Sequence, residues 1–202
     1  MKMLISYFAL LILMFSCADN VLTDMPVSAQ EKADLVFLRE EEKLAHDVYV
    51  FSAQKYGQGV FSNISESEQR HIESVLGLLN RYGIEDPVKG KAEGVFENAE
   101  LQKLYDELTQ KSGKSLIEAL KVGATIEDLD IFDIKRFYQH TSNPELIAVY
   151  DRLTCGSRNH MRAFVGQLQA NQVIYTPQYL TVSEFNDIVN SAHERCGNKF
   201  QN

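Results

Sequence analysis

The sequence predicts an all-α protein: a four-helix bundle with an extra short helix between the second and third bundle helices and another short helix near the C-terminus. Three observations carry this. Apolar residues recur at three- and four-residue steps over long stretches. Gly and Pro fall where those stretches end. No segment shows the alternation of a strand, although VIYTPQYLTV reads as extended.

Residues 1–17, MKMLISYFALLILMFSC, stand apart from the bundle. Lys2 is a short positive start, and residues 4–15 are an apolar run too short for a membrane span of ~20 residues. Ser16 then precedes Cys17. This resembles the signal peptide and lipobox of a bacterial lipoprotein, with Met14 and Phe15 departing from the usual Leu-small-small-Cys pattern. The resemblance implies cleavage before Cys17 and a lipid on that residue. It also implies a place on the bacterial cell envelope, periplasmic or on the outer membrane. An ordinary secretory peptide and an uncleaved anchor are the alternatives.

Residues 18–30 read as a tether, residues 31–172 as the helical domain and residues 173–202 as a C-terminal extension. The first helix runs through DLVFLREEEKLAHDVYVFSAQKYG and stops at Gly57, a C-cap residue. The second starts near Ser65, where Ser65-x-x-Glu68 reads as a capping box, and ends in RYGIEDP. A shorter amphipathic helix, NAELQKLYDELTQKSG, follows a loop. Ser115-x-x-Glu118 caps the third long helix, SLIEALKVGATIEDLDIFDIKRFYQH. Asn143-Pro144-Glu145 opens the fourth, LIAVYDRLTCGSRNHMRAFVGQLQ. In the extension, Thr181-x-x-Glu184 caps EFNDIVNSAHER.

The charge balance is acidic, with 28 Asp and Glu against 20 Lys and Arg. That opposes nucleic-acid binding, and no basic patch interleaved with aromatics appears. Membrane contact would come from the lipid at Cys17, not from charge. Cys155 and Cys196 are the other two cysteines, and an oxidising compartment permits a disulfide between them. A pair of unbonded thiols is the alternative. There is no Cys-x-x-Cys-His haem site, no zinc-type cysteine spacing and no Gly-rich phosphate loop.

Each long helix has an apolar stripe broken by a residue that can bind a metal. On the second helix Glu68 and His71 share a face with Val75, Leu78 and Tyr82. On the first, the series Leu35, Leu38, Glu42, Ala45, Tyr49 places Glu42 inward, but Leu38, Glu41, Ala45, Val48 is nearly as good. On the third, Leu116, Leu120, Gly123, Glu127, Asp130, Ile134, Phe137 carries two carboxylates. On the fourth, Leu146, Tyr150, Leu153, Ser157, His160, Phe164, Leu168 carries one histidine. Taken singly, each has a plain alternative: a solvated acid, a helix-interface acid, a satisfied core histidine. Taken together, Glu42, Glu68, Glu127 and Asp130 with His71 and His160 form the ligand inventory of a dinuclear site. Four ionised carboxylates would repel one another unless about two divalent cations neutralised them. Oxygen and imidazole donors without thiolate suit iron, with manganese next.

The strings REEEKLAHDVY, FSNISESEQRH, LLNRYGIEDP, LQKLYDELTQKSGKSLIEALKVGATIEDLDI and GSRNHMRAF carry a resemblance. The chain is similar to ferritin-like, rubrerythrin-related di-iron proteins, and more closely to the ferritin-like domain-of-unknown-function family 2202. The resemblance implies that Glu42, Ala45 and Tyr49 match the Glu-x-x-Ala-x-x-x-Tyr pattern of the first helix, which selects Glu42 over Glu41. It implies Glu68 and His71 for the second helix, Glu127 for the third and His160 for the fourth. The fourth helix of such proteins supplies Glu-x-x-His, whereas Ser157 stands three residues before His160. Asp130, one turn after Glu127, is the candidate substitute. His46 stands where an arginine is common in the family and reads as a neighbour of the ligands or a surface residue. Tyr49 reads as a hydrogen-bond or redox partner of the ligands or as a packed core tyrosine.

The expectation is therefore an exported, lipid-anchored protein with two non-haem irons that reacts with O2 or peroxide, as a ferroxidase- or peroxidase-like oxidoreductase. The alternative is a non-catalytic metal-binding or structural bundle. Metal ions and the membrane are the expected partners; the oligomeric state stays open, a homo-oligomer included.

Overall fold

Ser28 starts the first helix. Its hydroxyl accepts from the Glu31 amide at 3.1 Å while the Glu31 carboxylate accepts from the Ser28 amide at 2.6 Å. From there α1 (Ala29–Tyr56) runs to Gly57, whose φ of 61° ends it in the left-handed conformation that favours glycine. These features come from a computed structural model that describes residues 26–197. Residues 1–17, read from sequence as a leader and lipobox ending at Cys17, lie outside the described residues. The tether assigned to residues 18–30 gives way to α1 at Ala29, because the Ser28 box caps the helix earlier than the apolar stripe alone shows.

α2 (Gly59–Arg81) follows after one residue. It starts two turns before Ser65, so Ser65-x-x-Glu68 is not a cap; the Ser65 hydroxyl instead donates to the Ser62 carbonyl inside the helix. Buried Phe61 and Ile64 extend the apolar face, and that packing outweighs the weak helix propensity of the glycine and serine there. α3 (Ala99–Ser112) is capped by Asn98, and α4 (Leu116–Phe137) by Ser115, before a single 3₁₀ turn at Tyr138–His140. α5 (Pro144–Ala170) has Asn143 as cap and Pro144 in its first turn. α6 (Val182–Val189) begins with the Thr181–Glu184 capping box but ends well before Arg195. Among the described residues there are six α-helices, no strand, and no helix long and apolar enough to cross a membrane.

The chain forms a helical bundle. α1 packs mainly on α2 and α4 mainly on α5, while α1 also meets α4 and α2 also meets α5. α3 lies on α1 and α4, and α6 on α5. The core has two apolar clusters. One holds Val48, Tyr49, Phe61, Leu120 and Phe164; the other holds Leu38, Val75, Ile134, Leu146 and Leu153. On each long helix the predicted site residues fall between them: Glu42 between Leu38 and Leu44, Glu68 and His71 between Ile64 and Val75. Glu127 and Asp130 fall between Ile126 and Ile134, and His160 between Leu153 and Phe164. Each fully buried aliphatic side chain contributes about 1.5–3 kcal/mol, so the two clusters clamp a charged layer that could not hold itself together.

The charge run of α1 divides by direction. Arg39 donates to both oxygens of Asp86 at 3.1 and 3.0 Å, and Glu40 accepts from the Glu97 amide at 2.6 Å. Lys43 reaches the Ala92 carbonyl at 2.9 Å, and Asp47 accepts from the Gly94 amide at 2.8 Å. These four residues pin the loop between α2 and α3. Beyond α5, the segment that reads as extended from sequence is irregular and is held by one carboxylate: Asp128 accepts from the amides of Gln178, Tyr179 and Leu180 and from the Tyr175 hydroxyl.

Candidate metal centre

Five of the six predicted ligands form two groups. Glu42, Glu68 and His71 make one; Glu68, Glu127 and His160 make the other; within each, one donor atom per residue lies within 4.8 Å of the rest. Glu68 belongs to both and turns one oxygen to each histidine. His71 Nδ1 lies 2.8 Å from Glu68 Oε2 and 3.2 Å from Glu42 Oε2. His160 Nδ1 lies 2.7 Å from Glu68 Oε1 and 3.5 Å from Glu127 Oε2. The rings are stacked, 5.5 Å between centroids.

Several of these contacts do not satisfy the atoms involved. His160 Nδ1 and Glu68 Oε1 approach as charges but are not aligned as a hydrogen bond, and Glu42 Oε1 and Asp130 Oδ1 also lack partners. Unsatisfied buried polar atoms are costly. Donors bound to one cation at about 2.0–2.2 Å stand roughly 3 Å apart, and these separations match that spacing. The donor set could hold two cations, one at each group, with Glu68 common to both.

Asp130 is placed in neither group. The Ser157 hydroxyl donates to Asp130 Oδ2 and to the Leu153 carbonyl, so the residue three before His160 engages the α4 acid. Tyr49 donates to Glu127 Oε1 at 2.5 Å and reaches the Gly123 carbonyl at 3.3 Å. His46 is turned to Asp47 Oδ1, 2.9 Å away, and joins neither group. Cys155 on α5 and Cys196 are bonded to each other, with Cα atoms 5.6 Å apart.

Burial and neighbouring charge set the protonation of the metal-free layer. Burial, reinforced by Glu68, pushes Glu42 up to about 7 against the opposing pull of His71. Burial also raises Glu127 and Asp130, with His160 opposing at Glu127 and the charges of Glu42 and Glu127 adding at Asp130. Burial would raise Glu68 too, but His160 and His71 together draw it below the carboxylate range. Burial disfavours charge on His160, yet Glu68 and Glu127 lift it to about 10. His71 is raised in the same way by Glu68 and Glu42. Protons on imidazole therefore stand in for cations.

Sequence periodicity assigns no role to three supporting residues. A Cβ on Gly156 would come 2.5 Å from His71 Nε2, so the bare backbone of α5 gives that ring its place. Gly123 does the same for Phe164, which packs on Tyr49 at 5.2 Å between ring centroids. The Ser67 hydroxyl meets His160 Nε2 at 2.9 Å. A groove of about 580 Å³ reaches this side of the histidines, lined by Ser67, Arg70, His71, His160, His193 and Cys196 among others.

Fold and site thus define a helical-bundle protein with a buried carboxylate–histidine layer. The profile of the uncharacterized protein domain DUF2202 matches residues 31–192, and the chain belongs to that family. It is 48% identical over 178 residues to the uncharacterized protein MJ0754 of Methanocaldococcus jannaschii, covering 88% of this chain and 96% of that one. The crystal structure of the same archaeal protein superposes with a TM-score of 0.84, covering 86% of this chain and 99% of that one.

Proposed function

We propose that this is a ferritin-like protein with a non-haem dinuclear centre, two irons or alternatively two manganese ions, held by Glu42, Glu68, His71, Glu127 and His160. The single observation that carries the reading is Glu68, which gives one oxygen to each of two histidine–carboxylate groups. The pairing of α1 with α2 and α4 with α5, with ligands at mid-helix, supports the ferritin-like arrangement. When bound, a di-iron pair supplies one-electron redox steps toward O2 or peroxide, the basis for a ferroxidase- or peroxidase-like oxidoreductase. The protein's own part is positional. His71 and His160 each present Nδ1 inward, Glu68 spans the two positions, and Tyr49 holds Glu127 in place. The apolar clusters on either side exclude bulk water. Placement on the bacterial envelope through a lipid at Cys17 rests on residues 1–17; the Cys155–Cys196 bond suits an oxidising compartment.

One observation favours a second reading, a module that binds metal without turnover: Ser157 replaces the fourth-helix acid, and Asp130 is bound to it. Metal analysis of the purified protein should find about two Fe or Mn per chain, lost in His71→Ala and His160→Ala. A folded wild type that binds none would sink both metal readings. Stopped-flow mixing of the ferrous protein with O2 or peroxide separates the two: fast oxidation supports the oxidoreductase, and its absence leaves the binding module.

A further inference from the structure

The groove over the histidines carries a charge opposite to that of the chain. Acidic residues outnumber basic ones 28 to 20 in the sequence, for a net charge of −8. In the groove the order reverses. Arg70 and Arg152 line it together with the imidazole of His193, and among the described residues Glu194 is the only carboxylate on its wall. Glu194 is already paired with Arg158 and Arg162. No carboxylate among the described residues pairs with Arg70 or with His193. The walls come from three parts of the chain: α2 supplies Arg70, α5 supplies Arg152 and Gly156, and the segment after α6 supplies His193 and Cys196. That last wall is fixed in place. Cys196 is bonded to Cys155, and Asn159 accepts from the Glu194 amide at 2.9 Å while donating to the Glu194 carbonyl at 3.0 Å. On the inner side His71 and His160 line the groove, and Gly156 puts no side chain over the His71 ring.

We propose that this groove binds a small organic anion, its carboxylate or phosphate held by Arg70 and Arg152 with His193 as a further donor. The planar guanidinium fork matches both kinds of oxyanion and can bind either through two parallel hydrogen bonds. Size points the same way. Small-molecule sites span about 300–1,000 Å³, and the groove's volume of about 580 Å³ lies within that range. It is far larger than O2 or peroxide requires, so it suits a molecule of metabolite size. Positive groups gathered in a cleft of an acidic protein draw anions in and oppose the entry of free divalent cations. The fixed third wall lowers the cost of ordering the site when the ligand arrives. That the bound molecule is presented to the metals as a substrate rests on the dinuclear reading. The anion site itself rests on the groove alone.

Isothermal titration calorimetry of the full chain with inorganic phosphate, and separately with succinate, at constant ionic strength tests this. The expected result is a single anion per chain, bound about tenfold more weakly in Arg70→Gln and about threefold more weakly in His193→Ala. Lys103→Gln should bind as the wild type does, because Lys103 lies on α3 outside the groove with its side chain 79% exposed. Binding of phosphate or of succinate supports the site, and the tighter probe identifies the oxyanion. No binding of either probe would overturn it, as would equal weakening in Lys103→Gln or unchanged affinity in both groove variants. Arg70 and His193 are exposed, so their replacement spares the core, and circular dichroism with a melting curve verifies each fold. Metal analysis of the same samples separates this site from the centre. A wild type that binds the anion but no metal keeps the groove site and removes the centre; one that binds metal but neither anion does the reverse.

Discussion

Gly156 shows how one atom position governs the site. Alanine in a helix interior is ordinarily worth about 1 kcal/mol over glycine. Here the added Cβ would sit 2.5 Å from His71 Nε2 and 2.7 Å from its Cε1, in a ring that cannot retreat without leaving Glu42 and Glu68. Overpacking of this kind costs about 1–3 kcal/mol, so the net sign is destabilising. Gly156→Ala should lower the melting temperature and, by displacing a ligand, weaken metal binding about 10- to 100-fold. A melt and a metal titration on the same sample check both, and an unchanged affinity would show that His71 is not a ligand. The ligands themselves are legible in sequence because each breaks an apolar stripe, and a buried ionisable group needs a partner. Gly156 is not legible, since a glycine inside a helix reads the same whether it faces a ring or solvent. Glu41 was ambiguous for a related reason: two neighbouring stripes on α1 are both buried, and periodicity cannot rank them.

At the scale of elements, helix ends with side-chain caps are readable and those set by tertiary contact are not. Ser115, Asn143 and Thr181 cap where their sequence signals stand. α2 has no side-chain cap at Gln58, and its early start follows from Phe61 and Ile64 finding the core. α6 stops short because the residues after it belong to α5. Glu194 pairs with Arg158 and Arg162, its amide donates to Asn159, and Cys196 bonds to Cys155. Hydrogen bonding and charge from Arg158 and Arg162 lower Glu194 to about 2 in the folded state, from an ordinary value of 4.5. A depressed acid stabilises above its unfolded pKa and loses that contribution as pH falls through the folded one. The pair is partly exposed, so its worth is about 1 kcal/mol or less. The disulfide closes a separation of 41 residues, and chain entropy assigns such a loop about 4 kcal/mol. Reduction should therefore lower unfolding free energy by roughly that amount while leaving residues 191–197 docked at neutral pH. In the reduced protein, proteolysis after Arg195 should quicken as pH drops from 4.5 toward 2, and at neutral pH in Glu194→Gln. Equal cleavage of the reduced wild type and Glu194→Gln at neutral pH would show that the ion pairs do not hold the segment.

The whole molecule sets two apolar clusters against a layer that carries Glu42, Glu68, Glu127 and Asp130 with only two imidazoles. Without cations the layer balances itself by placing protons on His71 and His160 and by raising Glu42, Glu127 and Asp130. That arrangement is folded but not optimal, because desolvating charge costs several kcal/mol per group even when paired. Cations that bind the native layer and not the unfolded chain stabilise by mass action, about 2.7 kcal/mol for each site at 100 times its Kd. For a chain of this length each kcal/mol moves the melting point about 2–4 °C. Adding Fe2+ or Mn2+ under anaerobic conditions should thus raise the melting temperature by about 10–20 °C for two filled sites, and a chelator should reverse it. His71→Ala, which removes a donor from one of the two groups, should show at most a fraction of that rise, which separates specific binding from general screening of a chain with a net charge of −8. Sodium sulfate of matched ionic strength supplies the remaining control, since screening alone would shift wild type and variant together. A wild type whose melting point ignores Fe2+ and Mn2+ would mean that the imidazolium–carboxylate layer is the finished native state, and that two apolar clusters suffice to keep it buried.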